Sequence, residues 1–209
     1  MKRKVVIATQ NKGKAKEFES LFSSFNFEVV TLLDLPEAID IVEDGSTFEE
    51  NATIKSETIA NKFDCIAIGD DSGLIVDFLN GKPGIYSARY AGEEKNDEAN
   101  LQKVLHELEG VPSEERTARF YCALAFSAPG IKTKTVSGTC EGKILTEKRG
   151  SEGFGYDPIF YVEDLGKSLA ELSKEEKNQI SHRGNAIKKL AAVIDEWMEE
   201  VKNHENRDC

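Results

Sequence analysis

The chain has 209 residues, and its 38 acidic against 27 basic side chains give a formal net charge of -11. A chain of this length loses about 70% of its unfolded surface on folding. With 39% hydrophobic and 31% charged residues the composition is globular, so neither a disulfide framework nor a cofactor is needed to hold a core. The acidic excess repels a nucleic-acid backbone, and no segment approaches the roughly 20 apolar residues of a membrane-spanning helix. Neither nucleic acid nor membrane is expected as a partner.

Lys2, Arg3, Lys4, Lys12, Lys14 and Lys16 all precede the first acidic residue, Glu17, a patch suited to a small anion rather than a polymer. The apolar run after Lys4 is too short for a leader. Cys65, Cys122, Cys140 and Cys209 show no CxxC spacing and no histidine cluster, which favours reduced structural thiols over a zinc site. A cytoplasmic protein is the expectation.

Residues 4–9 read as a buried strand, 10–13 as a polar turn, and 14–25 as a helix burying Phe18, Leu21, Phe22 and Phe25. Residues 28–33 return as a strand. A strand, a short loop with lysines and a helix start bring backbone N–H groups beside Lys12 and Lys14, a geometry that holds phosphate. The loop is too short for a Walker A motif and lacks the glycines of a dinucleotide fingerprint. Thr47-Phe48-Glu49-Glu50 fits a capping box opening a helix toward Lys62, and a strand at 65–69 delivers Asp70 and Asp71 at its carboxyl end. This alternation predicts an α/β sheet with helices on its faces.

Next come a strand at 74–79, a turn at 80–84, a polar, mobile loop at 85–90, and a helix at 98–109 with Leu101, Val104, Leu105 and Leu108 on one face. Residues 116–127 and 132–144 read as long strands in the antiparallel part of a mixed sheet. A glycine-rich stretch at 150–158 precedes the apolar run 159–162. The helix at 185–201 buries Ile187, Leu190, Ile194, Trp197, Met198 and Val201, and the polar tail 204–209 frays.

Gly69-Asp70-Asp71-Ser72-Gly73 carries the strongest chemical signal, because two carboxylates follow an apolar strand. Magnesium takes oxygen ligands and bridges carboxylates to phosphates, so Asp71, with Asp70 and Glu50, makes an acidic half-site. Lys14 and Lys55 make the cationic half. This set fits phosphoanhydride hydrolysis, in which a cation offsets phosphate charge while a carboxylate orients water or takes its proton. His182-Arg183 suits a base edge or a phosphate through the rigid arginine fork, and Phe154, set among glycines, offers a flat face to a base. Plainer readings stand beside these: a turn or cap for Asp70-Asp71, capping for Glu50, surface polarity for His182 and Arg183, and core packing for Phe154 and Tyr156.

Six ordered motifs are Thr9-Gln10-Asn11-Lys12-Gly13-Lys14, Thr47-Phe48-Glu49-Glu50-Asn51-Ala52, Asp70-Asp71-Ser72-Gly73, Pro83-Gly84-Ile85-Tyr86-Ser87-Ala88-Arg89, Phe154-Gly155-Tyr156-Asp157-Pro158-Ile159-Phe160 and Ser181-His182-Arg183-Gly184. On them the chain resembles, over almost its whole length, the inosine triphosphatase-like pyrophosphatases of non-canonical purine nucleoside triphosphates. The resemblance implies an elongated α/β fold with a mixed sheet, one bilobal domain over residues 1–203 with a central nucleotide cleft, a homodimer and a magnesium cofactor. It implies hydrolysis of ITP, dITP and XTP to the monophosphate and pyrophosphate.

It also implies roles. Thr9, Gln10, Asn11, Lys12, Gly13 and Lys14 wrap the phosphates, and Lys55 is a further charge partner there. Asp71 is the catalytic carboxylate and, with Glu50, holds the metal, while Asp70 is a secondary acid. Ser72 and Lys177 contact substrate; Phe154, Gly155, Tyr156 and Asp157 form the base pocket; His182 and Arg183 meet the keto purine. An arginine at the purine 6-position donates to a keto oxygen but leaves an adenine amino group facing another donor. A pyrophosphatase for other modified nucleotides, or a nucleotide-binding regulator without turnover, shares the phosphate features.

Overall fold

The computed structural model describes residues 3–22, 27–34, 39 and 41–205. Among them, β1 (Arg3–Ala8), β2 (Phe27–Thr31), β3 (Ala67–Val76), β4 (Thr117–Ser127), β5 (Lys134–Ile144), β6 (Phe160–Val162) and β7 (Lys167–Ser168) form one sheet in the order β2-β1-β3-β4-β5-β6-β7. The helices are α1 (Lys12–Phe22), α2 (Phe48–Phe63), α3 (Asp97–Glu107), α4 (Lys174–Ile180) and α5 (His182–Glu205). Pairing is parallel for β1 with β2 and β3, and antiparallel for β5 with β6 and β6 with β7. The fold is therefore mixed α/β. No helix among the described residues is long and apolar enough to cross a membrane.

Two compact units emerge, one of Met1–Asp71, Cys122–Gly138 and Ala186–Cys209, the other of Ser72–Tyr121 and Thr139–Asn185. In the first, alternate residues of β1 enter different cores. Val5 and Ile7 join Phe18 of α1 and Leu190 and Ile194 of α5, whereas Val6 and Ala8 join Ile59 and Ala60 of α2. A strand covered on both faces has no polar side to show, which is why residues 5–8 are uniformly apolar.

The expected apolar face of the last helix is buried at Ile187, Leu190, Ile194, Trp197, Met198 and Val201. Its start differs. Ser181 supplies the cap, its carbonyl accepting from Asn185 N at 2.8 Å and its hydroxyl from Gly184 N at 3.1 Å, so His182 and Arg183 lie inside the first turn. Likewise α1 begins at Lys12 rather than Lys14, because Asn11 Oδ1 accepts from the N–H groups of Gly13 and Lys14 at 2.8 and 3.1 Å. The side chains of Lys12, Leu21 and Phe22, together with Phe25, Cys209 and the tail beyond Glu205, lie outside the described residues. Cys65, Cys122 and Cys140 form no disulfide.

The second unit gathers Leu74 and Val76 of β3, Leu101 and Val104 of α3, Phe120 and Phe160 into its core. Arg116 is buried here and donates to the carbonyls of Leu108, Ile144 and Leu145, each at 2.7 Å. The expected mobile loop at 85–90 is instead a short 3-10 segment, Gly84–Arg89. Its Ser87 hydroxyl donates to Gly84 O at 2.6 Å and accepts from Leu74 N at 2.9 Å, replacing solvent with internal partners.

The largest correction concerns β3. The two strands expected at 65–69 and 74–79 are one unbroken strand, Ala67–Val76, with Asp70 and Asp71 in its interior. Carboxylates are tolerated there because each is paired. Gly69 lets their partners come close: a Cβ at this position would stand 1.9 Å from the carbonyl oxygen of Ala52 in α2. Gly69→Ala is expected to lower stability by about 2 kcal/mol through overpacking, read from the denaturation midpoint in urea.

Candidate active site

The amino end of α2 is fixed by Thr47, whose hydroxyl accepts from Glu50 N at 3.1 Å. Glu50 caps in return, but on Ser46 N at 2.6 Å rather than on Thr47. One turn on, Asn51 and Lys55, four residues apart, share a helix face and both turn to β3. Asn51 Nδ2 donates to Asp71 Oδ2 at 3.3 Å. Lys55 Nζ donates to Asp71 Oδ1 at 2.9 Å and to the Asp70 carbonyl at 3.1 Å, and pairs with Glu43 Oε2 at 2.7 Å. An ammonium has three donors, and all three are engaged.

Successive strand residues point to opposite faces, so Asp70 meets a different set. It accepts from the Lys14 ammonium and, at 3.4 Å, from Cys122 Sγ. Around Lys14 the loop is braced by its own side chains: Thr9 Oγ1 accepts from Asn11 N at 3.2 Å, and Gln10 Nε2 donates to Ile39 O at 3.0 Å.

The electrostatics follow from burial. Desolvation pushes the Asp71 carboxyl above the ordinary aspartate value, and the charges of Lys55 and Lys14 offset this only in part. Burial pulls Lys55 downward, but Asp71 and Glu43 outweigh it and hold the ammonium above the ordinary lysine value. A carboxylate of raised basicity is thus locked beside a lysine whose charged form its partners favour, an arrangement suited to taking a proton from water.

A second constellation lies in the other unit. Gly153 has φ +80° and a Cβ there would stand 2.1 Å from Asp157 Oδ2, so only glycine lets this carboxylate fold back to accept from Phe154 N at 2.8 Å. The same oxygen accepts from Lys177 Nζ at 2.6 Å, and that ammonium stands 4.7 Å from the centroid of the Phe154 ring. Phe154 is 38% exposed, a platform rather than a core residue. Tyr156 is the reverse: buried, its hydroxyl donates to Ser87 O at 2.8 Å. Gly155 N donates to Asp97 Oδ2 at 3.1 Å.

Arg183 is 2% exposed and donates through Nη2 to Ser72 Oγ at 2.9 Å. His182 is buried with its ring stacked on Phe120, 4.8 Å between centroids. Surface polarity therefore describes neither. Glu43, Asn51, Cys122 and Asp97 are the partners that sequence reasoning passed over. The i, i+4 spacing of Asn51 and Lys55 marked one of them; Glu43, one acid in an acidic linker, carried no mark.

The Ham1 family model matches residues 5–193. The chain belongs to the Ham1 family. Relatives called dITP/XTP pyrophosphatase are 56% identical over 197 residues in Bacillus cereus, covering 93% of this chain and 96% of the relative. In Bacillus licheniformis the identity is 57% over 194 residues, covering 93% and 99%. The solved Staphylococcus aureus Ham1 protein has a TM-score of 0.84 at 49% identity, covering 92% of this chain and 98% of that one. Within the Ham1 fold, Asp157 is the buried counter-charge of Lys177, so Asp157→Ala is expected to cost about 3 to 5 kcal/mol. Asp157→Leu combined with Lys177→Met is expected to recover part of that loss in thermal melting.

Proposed function

We infer that this Ham1-family chain hydrolyses dITP, ITP and XTP to the nucleoside monophosphate and pyrophosphate, and so removes deaminated purines from the nucleotide pool. The observation that carries the reading is a buried, basic Asp71 held by Lys55 in a chain matched along nearly its full length to relatives called dITP/XTP pyrophosphatase. Asp71 orients the attacking water and takes its proton. Lys14 and the Thr9–Lys14 loop hold the phosphates, with Lys14 leaving Asp70 as the anion arrives. Lys55, its donors already occupied, keeps the Asp71 carboxylate in place.

Magnesium takes hard oxygen donors such as carboxylates, and the Asp71 carboxylate already faces one cationic group, Lys55. Asp71 and Glu50 would hold it, and when bound it offsets charge on the phosphates. For the base, Phe154 stacks while Lys177 and Asp157 fix the loop around it. Arg183, oriented through Ser72, donates to the keto oxygen of the purine, with His182 beside it. In the same reading the chain acts as a homodimer in the cytoplasm, each copy a single domain over residues 1–203.

A nucleotide panel with magnesium, followed by pyrophosphate release, tests the reading. Preference for dITP and XTP over ATP and GTP is expected, with loss of turnover on chelation; equal use of the canonical purines would reject the substrate assignment. Asp71→Asn is expected to retain the fold and lower kcat by about a thousandfold or more, and near-normal turnover would remove Asp71 from the central role. Arg183→Ala is expected to shrink the ITP-over-ATP ratio of kcat/KM by about tenfold or more, measured with both nucleotides in the same preparation.

A further inference from the structure

Two successive N–H groups of the loop presenting Phe154 are each taken by a carboxylate, one local and one distant. Phe154 N goes to Asp157 and Gly155 N to Asp97, at 2.8 and 3.1 Å. Asp157 belongs to the loop itself, but Asp97 is the first residue of α3, 58 positions away. The loop needs such holds. Gly153 and Gly155 both take positive φ, +80° and +62°, and a Cβ on Gly155 would meet nothing within 4 Å. Hydrogen bonds rather than packing set the turn at Gly155.

Asp97 is delivered from a firm base. Asn96 caps α3, accepting from Ala99 N at 3.0 Å. Buried Asn100 donates to Ala88 O at 3.0 Å and accepts from Ala91 N at 2.6 Å, and Lys103 donates to Tyr90 O at 2.7 Å. Leu101 and Val104 enter the core on the same helix. A carboxylate in the first helical turn is also favoured by the backbone dipole. The adjacent acid does not compete, since Glu98 turns to Lys148 at 2.9 Å.

Resting on the pyrophosphatase reading, we propose that Asp97 is a positioning residue for base recognition: by holding the Gly155 amide it sets the pose of the exposed Phe154 ring, without itself touching substrate. A carboxylate acceptor on a backbone N–H is a strong hold, and a ring only partly buried depends on it for its orientation. Asp97 therefore governs affinity for the purine and leaves the phosphate chemistry alone.

Steady-state kinetics with dITP, and inhibition by inorganic tripolyphosphate, which has phosphates but no base, separate these effects. Asp97→Ala is expected to raise KM by about tenfold, with kcat and tripolyphosphate inhibition unchanged. Asp97→Asn, which keeps an acceptor oxygen, is expected to restore most of the loss, and Glu98→Ala to leave KM as in the parent. In a Phe154→Ala background the Asp97→Ala change is expected to add nothing further, because it acts through that ring. Faster solvent exchange of the Gly155 amide in Asp97→Ala reports the lost hold directly. An unchanged KM with unchanged Gly155 exchange, additive losses with Phe154→Ala, or an equal loss of tripolyphosphate inhibition would overturn the proposal. A parent enzyme that leaves dITP intact defeats the functional reading instead, and the amide exchange still decides the role of Asp97.

Discussion

The Lys55 ammonium, seated among the Asp71 carboxylate, the Asp70 carbonyl and Glu43, is the contact on which the first unit is organised. Two adjacent carboxylates in a strand interior are untenable without compensating charge. Lys55 can reach the Asp71 carboxylate only if α2 lies close to the strand, and Gly69 permits that approach, while Lys14 meets the Asp70 carboxylate. The continuity of β3 and the placement of α2 are two outcomes of this pairing, and burial, which Lys55 offsets only in part, leaves Asp71 with raised basicity. Remove the ammonium and strand and helix lose their common anchor, while the Asp71 carboxyl is pushed higher still.

A similar logic, with different parts, governs the second unit. The buried Asp157 carboxylate serves Lys177 and the Phe154 amide at once, so the charge that neutralises a lysine also folds the loop that exposes an aromatic ring. Arg183, deep in its own environment, is aimed by Ser72. In both units the charged side chains assigned to chemistry, Asp71, Lys177 and Arg183, are held by polar partners, which fix their direction as well as their depth.

Much of this was legible in the residues, and the parts that were not share a cause. Periodicity located α2, α3 and the apolar face of α5, because burial of a helix stripe is a local pattern. The capping residue Thr47 announced the start of α2. The interruption wrongly expected in β3 came from placing Asp70 and Asp71 at a strand's carboxyl end, when their partners Lys14, Lys55 and Asn51 lie 56, 16 and 20 positions away. The early start of α5 had a similar origin, since Ser181 was visible but its capping role was not. Phe154 and Arg183 were recognisable by type and setting, but their unequal exposure depends on tertiary neighbours. Glu43 and Asp97 act through single long-range contacts that leave no periodic trace.

The carboxylates of Asp70 and Asp71 ride on a strand flanked by β1 and β4, so their backbone has no room to rearrange and only side-chain rotation is left to them. Phe154 rides on a glycine turn held by two hydrogen bonds. Loops of that kind accept substitution far more readily than interior strands. If this loop meets the base as proposed, the base a descendant of this chain accepts is free to drift by edits at the exposed Phe154 position, with Gly153 and Asp157 held fixed, while the bond it breaks stays the same. Diversity in this lineage should appear first as altered nucleobase choice and only with refolding as altered chemistry.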